Sequence, residues 1–175
     1  MQHERARILI LGVGNILLSD EGVGVRAVEQ LEKSYAFPED VELLDGGTSG
    51  MELISHIENR EHLWIIDAVK QAGLQPGDTL RKDLENPPAY FQQKITPHQL
   101  GLSDVLAAAS LTDCLPGQIR LYGIVPQSLA TGIDLTKAAS RGMEDVVDRI
   151  RADLQEMGME SRAKVHSSKF TASSP

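Results

Sequence analysis

Cysteine is almost absent from this sequence. Cys114 is the only one in 175 residues, so no bridge can form within the chain and a disulfide-built extracellular scaffold is excluded. It follows Asp113 in a loop-like stretch with no base beside it and reads as a small, semi-buried filler. Positive charge is scarce as well: 17 Lys and Arg stand against 25 Asp and Glu, for a formal charge of -8. That balance argues against nucleic acid or an anionic membrane as partner, since both are bound through basic side chains. No stretch approaches the roughly 18 uninterrupted apolar residues of a membrane span. Arg5 and Arg7 ahead of residues 8–18 imitate a secretory signal. The imitation fails, because Gly12, Gly14 and Asn15 interrupt the run and Ser19-Asp20-Glu21 stands where a cleavage site would need small residues. These absences predict a cytoplasmic protein without membrane contact, and nothing in the composition demands an assembly, so a monomer is expected.

The length suits one domain, placed at residues 1–160. Strand-like and helix-like stretches alternate along it, which predicts an α/β fold of three layers, a mostly parallel twisted central sheet with helices on both faces. The apolar run Ile8-Leu9-Ile10-Leu11 ends in a glycine turn and is the first strand. Residues 41–45, 63–67 and 118–125 supply further strands, the last stopped by Pro126. Residues 78–84 alternate and carry charge, as a strand with one wet face would. Three-to-four spacing of apolar residues predicts helices over 21–33 and 134–157, the second ended by Gly158. Shorter helices are expected over 50–57 and 100–109. Beyond Glu160 the periodicity is lost, and residues 161–175 are expected to be a disordered tail.

In an open wound sheet, ligands bind beyond the carboxyl ends of the strands, so the residues that follow each strand are the candidates. Asp20 and Glu21 follow the first strand's turn, Asp45 closes the second before Gly46-Gly47-Thr48-Ser49-Gly50, and Asp67 closes the third. His98 follows Pro97 at the start of a predicted helix. Carboxylates at the mouth of the first turn stand where a nucleotide site would receive phosphate on bare N–H groups, and ionised oxygens in that crevice attract a cation instead. Two carboxylates and one imidazole would suit nickel, zinc or another divalent ion. Plainer readings accompany each residue. Asp20 fits a helix N-cap, Glu21 a first-turn residue favoured by the helix dipole, Asp45 a cap on its glycine loop, and His98 a hydrogen-bonded loop histidine. Asp67 resists such a reading, because a carboxylate ending an apolar strand is costly unless paired or bound to a cation. His3, His56, His62 and His166 receive only the plain reading.

A dinucleotide-binding protein on a Rossmann-like frame is one competing class, since Gly12-Val13-Gly14 follows a strand and Asp45 lies where a ribose-binding acid would. Against it, Leu17 replaces the third glycine and the acidic pair would repel pyrophosphate. A nickel-binding carrier is another competitor.

Four blocks in order resemble one family, the endopeptidases that mature nickel-iron hydrogenases by trimming the C-terminus of the large subunit. They are Gly12-Val13-Gly14-Asn15-Ile16-Leu17-Leu18-Ser19-Asp20-Glu21-Gly22-Val23-Gly24, Asp45-Gly46-Gly47-Thr48-Ser49-Gly50, Ile66-Asp67-Ala68 and Thr96-Pro97-His98-Gln99-Leu100-Gly101. The similarity runs over residues 8–158. It implies an α/β fold and a nickel-sensing site whose ligands map onto Glu21, Asp67 and His98. The nickel is substrate-borne, carried by a [NiFe]-hydrogenase large-subunit precursor that still has its C-terminal extension. Gln127 departs from those members that are acidic at this position, so its loop offers no further negative ligand. Two forms of the chemistry stay open. The metal either polarises the carbonyl or activates water, or it only docks the substrate while Asp20 or Asp67 acts as general base. No Ser or Cys with a base partner suggests a covalent route.

Overall fold

The computed structural model describes residues 6–92 and 97–165, and the side chains of these apart from residues 92 and 97–100. Five strands form one sheet in the order β3-β1-β4-β6-β5: β1 (Ile8–Val13), β3 (Val41–Gly47), β4 (His62–Ala68), β5 (Thr79–Asp83) and β6 (Gln118–Ile124). β3, β1, β4 and β6 run parallel, while β5 pairs antiparallel to β6 at one edge. All of β1 and nearly all of β4 and β6 are buried, which is why they read as unbroken apolar runs: both faces of a parallel strand are covered.

The two-residue period divides those runs between two cores. Ile8, Ile10, Trp64, Ile66, Tyr122 and Ile124 face α1 (Val23–Ser34) and α5 (Lys137–Glu156). Leu9, Leu11, Leu63, Ile65, Ile119 and Leu121 face the opposite layer of α2 (Ile54–Ile57), α3 (Pro87–Gln92) and α4 (Pro97–Leu111). The expected three layers are thus present, and the carboxyl ends of the four parallel strands share one pole.

Glycine sets the distance between α1 and the sheet. A Cβ on Gly24 would stand 2.1 Å from the Ile66 carbonyl oxygen and 2.4 Å from that of Val13, and a Cβ on Gly12 would stand 2.3 Å from the Gly24 carbonyl oxygen. The helix axis is therefore pressed onto β1 and β4 just ahead of their carboxyl ends.

Several boundaries differ from expectation for physical reasons. The first helix does not begin at residue 21: a 3-10 turn, Ser19–Gly22, precedes α1, and Gly22 lies directly under Ile16, where a Cβ would meet the Ile16 backbone at 2.7 Å. α3 was concealed by Pro87-Pro88, although proline is favoured in a first helical turn. The segment expected to be disordered beyond residue 160 is ordered at its start. Arg162–Ala163 (β7) pairs antiparallel with Tyr35–Ala36 (β2), and Lys164 donates from its backbone to the Ser34 carbonyl at 2.8 Å and from Nζ to the Glu32 carbonyl. Two-residue strands are too short to carry a pattern. Gly158 does close α5, with φ +78°. Its N–H bonds Gln155 O and the Met159 N–H bonds Leu154 O, both at 2.9 Å.

A polar network crosses from α5 to the sheet. Asp153, 4 % exposed, accepts from Tyr122 Oη at 2.6 Å and Arg81 Nε at 2.7 Å, while Arg120 bridges to Asp83 at 2.6 Å. Burial first, and the hydrogen bond to Asp153 next, push the Tyr122 phenol well above its usual range.

Two outcomes follow from this packing. Gly24→Ala is expected to cost roughly 1 to 3 kcal/mol through overpacking against fixed carbonyls, read as a lower midpoint in chemical denaturation. Because folding raises the Tyr122 value above its ordinary 10.0, the stabilisation it provides is complete below that pH and is lost as pH rises through the alkaline range. Denaturation between about pH 9 and 11 is expected to show a falling midpoint that flattens in Tyr122→Phe.

Candidate active site

The shared pole is built from the segments that leave β1, β3, β4 and β6. After β1, Gly14 takes φ +130° and Asn15 folds the chain back: its Oδ1 accepts the Leu17 N–H at 2.9 Å and its carbonyl accepts the Leu18 N–H at 3.1 Å. This turn delivers Asp20 and Glu21 into the 3-10 turn against β4, where Asp20 is fully buried and Glu21 is 5 % exposed. Asp67, also fully buried, is the penultimate residue of β4, one place beyond the Ile66 carbonyl on which Gly24 rests. The close glycine contact thus brings the Glu21 turn to the end of the Asp67 strand. Burial, and then the Asp67 charge, raise the Tyr90 phenol above its usual range, so the last turn of α3 lies within the electrostatic reach of Asp67.

Asp20 does not act as the expected N-cap. Neither the 3-10 turn nor α1 has a side-chain cap, and the carboxylate points across to the connector between β6 and α5. Its oxygens accept from the N–H groups of Gln127 (2.8 Å), Ser128 (3.0 Å) and Thr136 (2.7 Å) and from Thr136 Oγ1 (2.8 Å). Thr136 in turn caps α5 by accepting the Ala139 N–H at 3.2 Å. The backbone joins the same clasp: Ser19 N–H bonds Gly132 O at 2.7 Å, Gly132 N–H bonds Leu17 O at 2.9 Å, and Asp20 N–H bonds Ser128 O at 3.1 Å. A local reading of residues 19–24 looks only for partners a few positions away, so it missed donors more than a hundred residues downstream.

On the other side of β1, Asp45 Oδ1 accepts the Gly47 N–H at 2.8 Å and so caps the glycine loop, the plainer of its two expected roles. Gly46 is the extra residue where the β1–β3 register shifts. The loop ends against α4, where a Cβ on Gly101 would lie 3.6 Å from Gly50 Cα. His98 stands three residues earlier, in the first turn of α4, and its side chain lies outside the described residues. Among the described residues no three His, Cys, Asp or Glu side chains gather as a metal site; Glu21 and Asp67 are buried carboxyl groups that the fold brings to this pole beside the Asp20 clasp and the loop-capping Asp45. Two buried carboxyl groups near one strand end offer oxygen donors to a divalent cation.

The same geometry removes the dinucleotide reading. The N–H groups of Ser19, Asp20 and Glu21, which would cradle phosphate, are bonded to Gly132, Ser128 and Leu18 carbonyls. The close helix–strand approach is provided by Gly24, further along than the fingerprint requires.

Comparisons with known proteins agree with this architecture. The profile of the family described as HycI, hydrogenase maturation protease, matches residues 25–153. The hydrogenase 2 maturation protease of Escherichia coli K12 is 47% identical over 162 residues, covering 91% of this chain and 99% of that protein. The structure of the hydrogenase maturating endopeptidase HybD from E. coli superposes with a TM-score of 0.85 at 47% identity, over 90% of this chain and 98% of that one. A hydrogenase 2 maturation peptidase from a Thaumarchaeota archaeon gives 0.66 at 31% identity, over 87% and 98%. With the expected fold, the buried acidic pole and these matches in agreement, the chain belongs to the hydrogenase maturation protease family and is a peptide-bond hydrolase.

Proposed function

We infer that this endopeptidase removes the C-terminal extension of a [NiFe]-hydrogenase large-subunit precursor already loaded with nickel, and that Glu21, Asp67 and His98 read that metal. The observation that carries the reading is the burial of Glu21 and Asp67 at one pole of a strongly acidic chain. The contact of the glycine loop with Gly101 supports it from the other side, because it fixes the helix whose first turn includes His98. Nickel here is part of the substrate, and another divalent ion of similar size would be accepted by the same oxygen and nitrogen donors. Partial coordination by the protease would hold the scissile peptide at high effective concentration, so positioning is the main contribution.

For the chemical step, the two carboxylates considered for proton transfer are unequal. Asp20 already accepts four hydrogen bonds, which supports a structural role for it and leaves Asp67 as the group that would take a proton from water as the hydroxide adds to the carbonyl and return it to the amine as the C–N bond breaks. We place the reaction in the cytoplasm with the enzyme as a monomer; no described helix is long and apolar enough to cross a membrane.

Asp67→Asn and His98→Ala are expected to lower trimming of nickel-loaded precursor by about 100-fold or more, measured by mass spectrometry of the products, with the folded spectrum retained. Free nickel is expected to bind the purified enzyme weakly in a calorimetric titration; tight binding and transfer would instead indicate a carrier. Asp20→Asn is expected to destabilise the fold by about 2 to 3 kcal/mol, because an amide cannot accept all four donors, and thermal melting would register that loss.

A further inference from the structure

The geometry points to a substrate-docking lip formed by Ile16, Leu17 and Ile133, which receives apolar side chains of the precursor polypeptide next to the segment that enters the site. This rests on the functional reading above and extends it to the binding of the protein substrate.

Scattered exposed apolar residues need no explanation; their distribution here does. Of seven large apolar side chains exposed among the described residues, four (Ile16, Leu17, Met51 and Ile133) follow the carboxyl ends of strands, at the pole of the candidate site. Leu111, Met157 and Val165 lie at the far ends of α4, α5 and the closing segment. Three of the four stand on two segments that are bonded to each other, through the bridge between Leu18 and Gly132.

These side chains are held out by fixed backbone and are not exposed by fraying. The Leu17 N–H is bonded to Asn15 Oδ1 and its carbonyl to the Gly132 N–H. Ile133 is pinned by Arg26, which donates to its carbonyl at 3.3 Å, while Ser19 Oγ bonds the neighbouring Asp134 carbonyl at 2.8 Å. Beneath the pair of segments, the Asp20 carboxylate closes the clasp. Preorganised apolar surface of this kind loses little conformational entropy when a partner covers it.

The lip borders the turn that carries Glu21 and, through Ile133, a groove. Leu17 is four residues from Glu21 in one compact turn. Ile133 also lines a groove of about 540 Å3 between α1 and α5, with Leu135 and Met143 as its other apolar walls and Arg26 at its side. An endopeptidase must seat a polypeptide that runs past the scissile bond in both directions, and the lip offers it apolar ground next to the acidic pole, with the groove beyond lined for the rest by Glu29, Gln30, Lys33, Asp134 and Ser140. The occupant is accordingly the precursor itself, through apolar residues in an extended stretch.

The test compares Leu17→Asp and Ile133→Asp with Leu111→Asp, a change at a still more open position on the opposite pole. Binding of the nickel-loaded precursor is measured by biolayer interferometry and trimming by mass spectrometry, with thermal melting to confirm that each variant folds. The lip predicts at least a tenfold loss of precursor affinity and a matching rise in KM for the first two, with kcat within about twofold of wild type and Leu111→Asp unaffected. Wild-type binding and trimming in both lip variants, or equal loss in Leu111→Asp, would overturn the lip while leaving the protease reading intact. A wild-type enzyme that neither binds nor trims the precursor would overturn that reading and the lip together.

Discussion

The contact of Gly24 with the carbonyl oxygens of Ile66 and Val13 governs the geometry of this protein. Side chains elsewhere keep a helix about 8 to 10 Å from its neighbour, but here the helix backbone rests on the strand backbone. That compression sets how far the 3-10 turn reaches over the sheet and so where Glu21 stands relative to the end of β4. It also concentrates the apolar stripe of α1, from Val23 to Leu31, on the same core that receives α5. The position of the acidic pole is therefore a packing result before it is a chemical one.

Buried acids in this fold divide by the kind of donor they meet. Asp153 is matched by guanidinium and phenol groups that come with β5 and β6. Asp20 is matched mostly by main-chain N–H groups, a neutral set that suits a charge-assisted hydrogen bond. Such an acceptor joins connectors that have no hydrophobic face of their own, since residues 126–136 contribute little to either core. Glu21 and Asp67 are buried near the pole where the parallel strands end. Tyr90, whose phenol responds to the Asp67 charge, was not suggested by any pattern.

Strands and long helices were legible because their signals are periodic and strong. The burial of β1 and of β4 after its first residue, and the Gly158 stop of α5, follow from rules that act within a few residues, whereas the alternation expected of β5 is absent, since it lies at the sheet edge with only Leu80 half-buried. The strand-end principle also pointed to Glu21 and Asp67, and both are buried near the pole where the parallel strands end. What could not be read is equally physical. The partners of Asp20 lie 107 to 116 positions away, the β2–β7 pair has two residues per strand, and the Asp153 network draws on three elements. None of these has a local period. His98 could be assigned to the start of a helix by its proline, and the contact that anchors this helix, Gly101 on the glycine loop, belongs to tertiary structure alone.

The reversed direction of β5 has a consequence for how copies of this protein meet. An open sheet offers two unpaired rims, each a template for recruiting another chain. At one rim the short β5 displays Arg81, Lys82 and Asp83, three charges in succession that an incoming strand would have to desolvate. At the other, β3 has Glu42, paired with Arg60 at 2.7 Å, near its start and Asp45 near its finish, polar groups that an incoming strand would likewise have to desolvate. Charge along both margins therefore raises the cost of pairing one copy's sheet edge with another's.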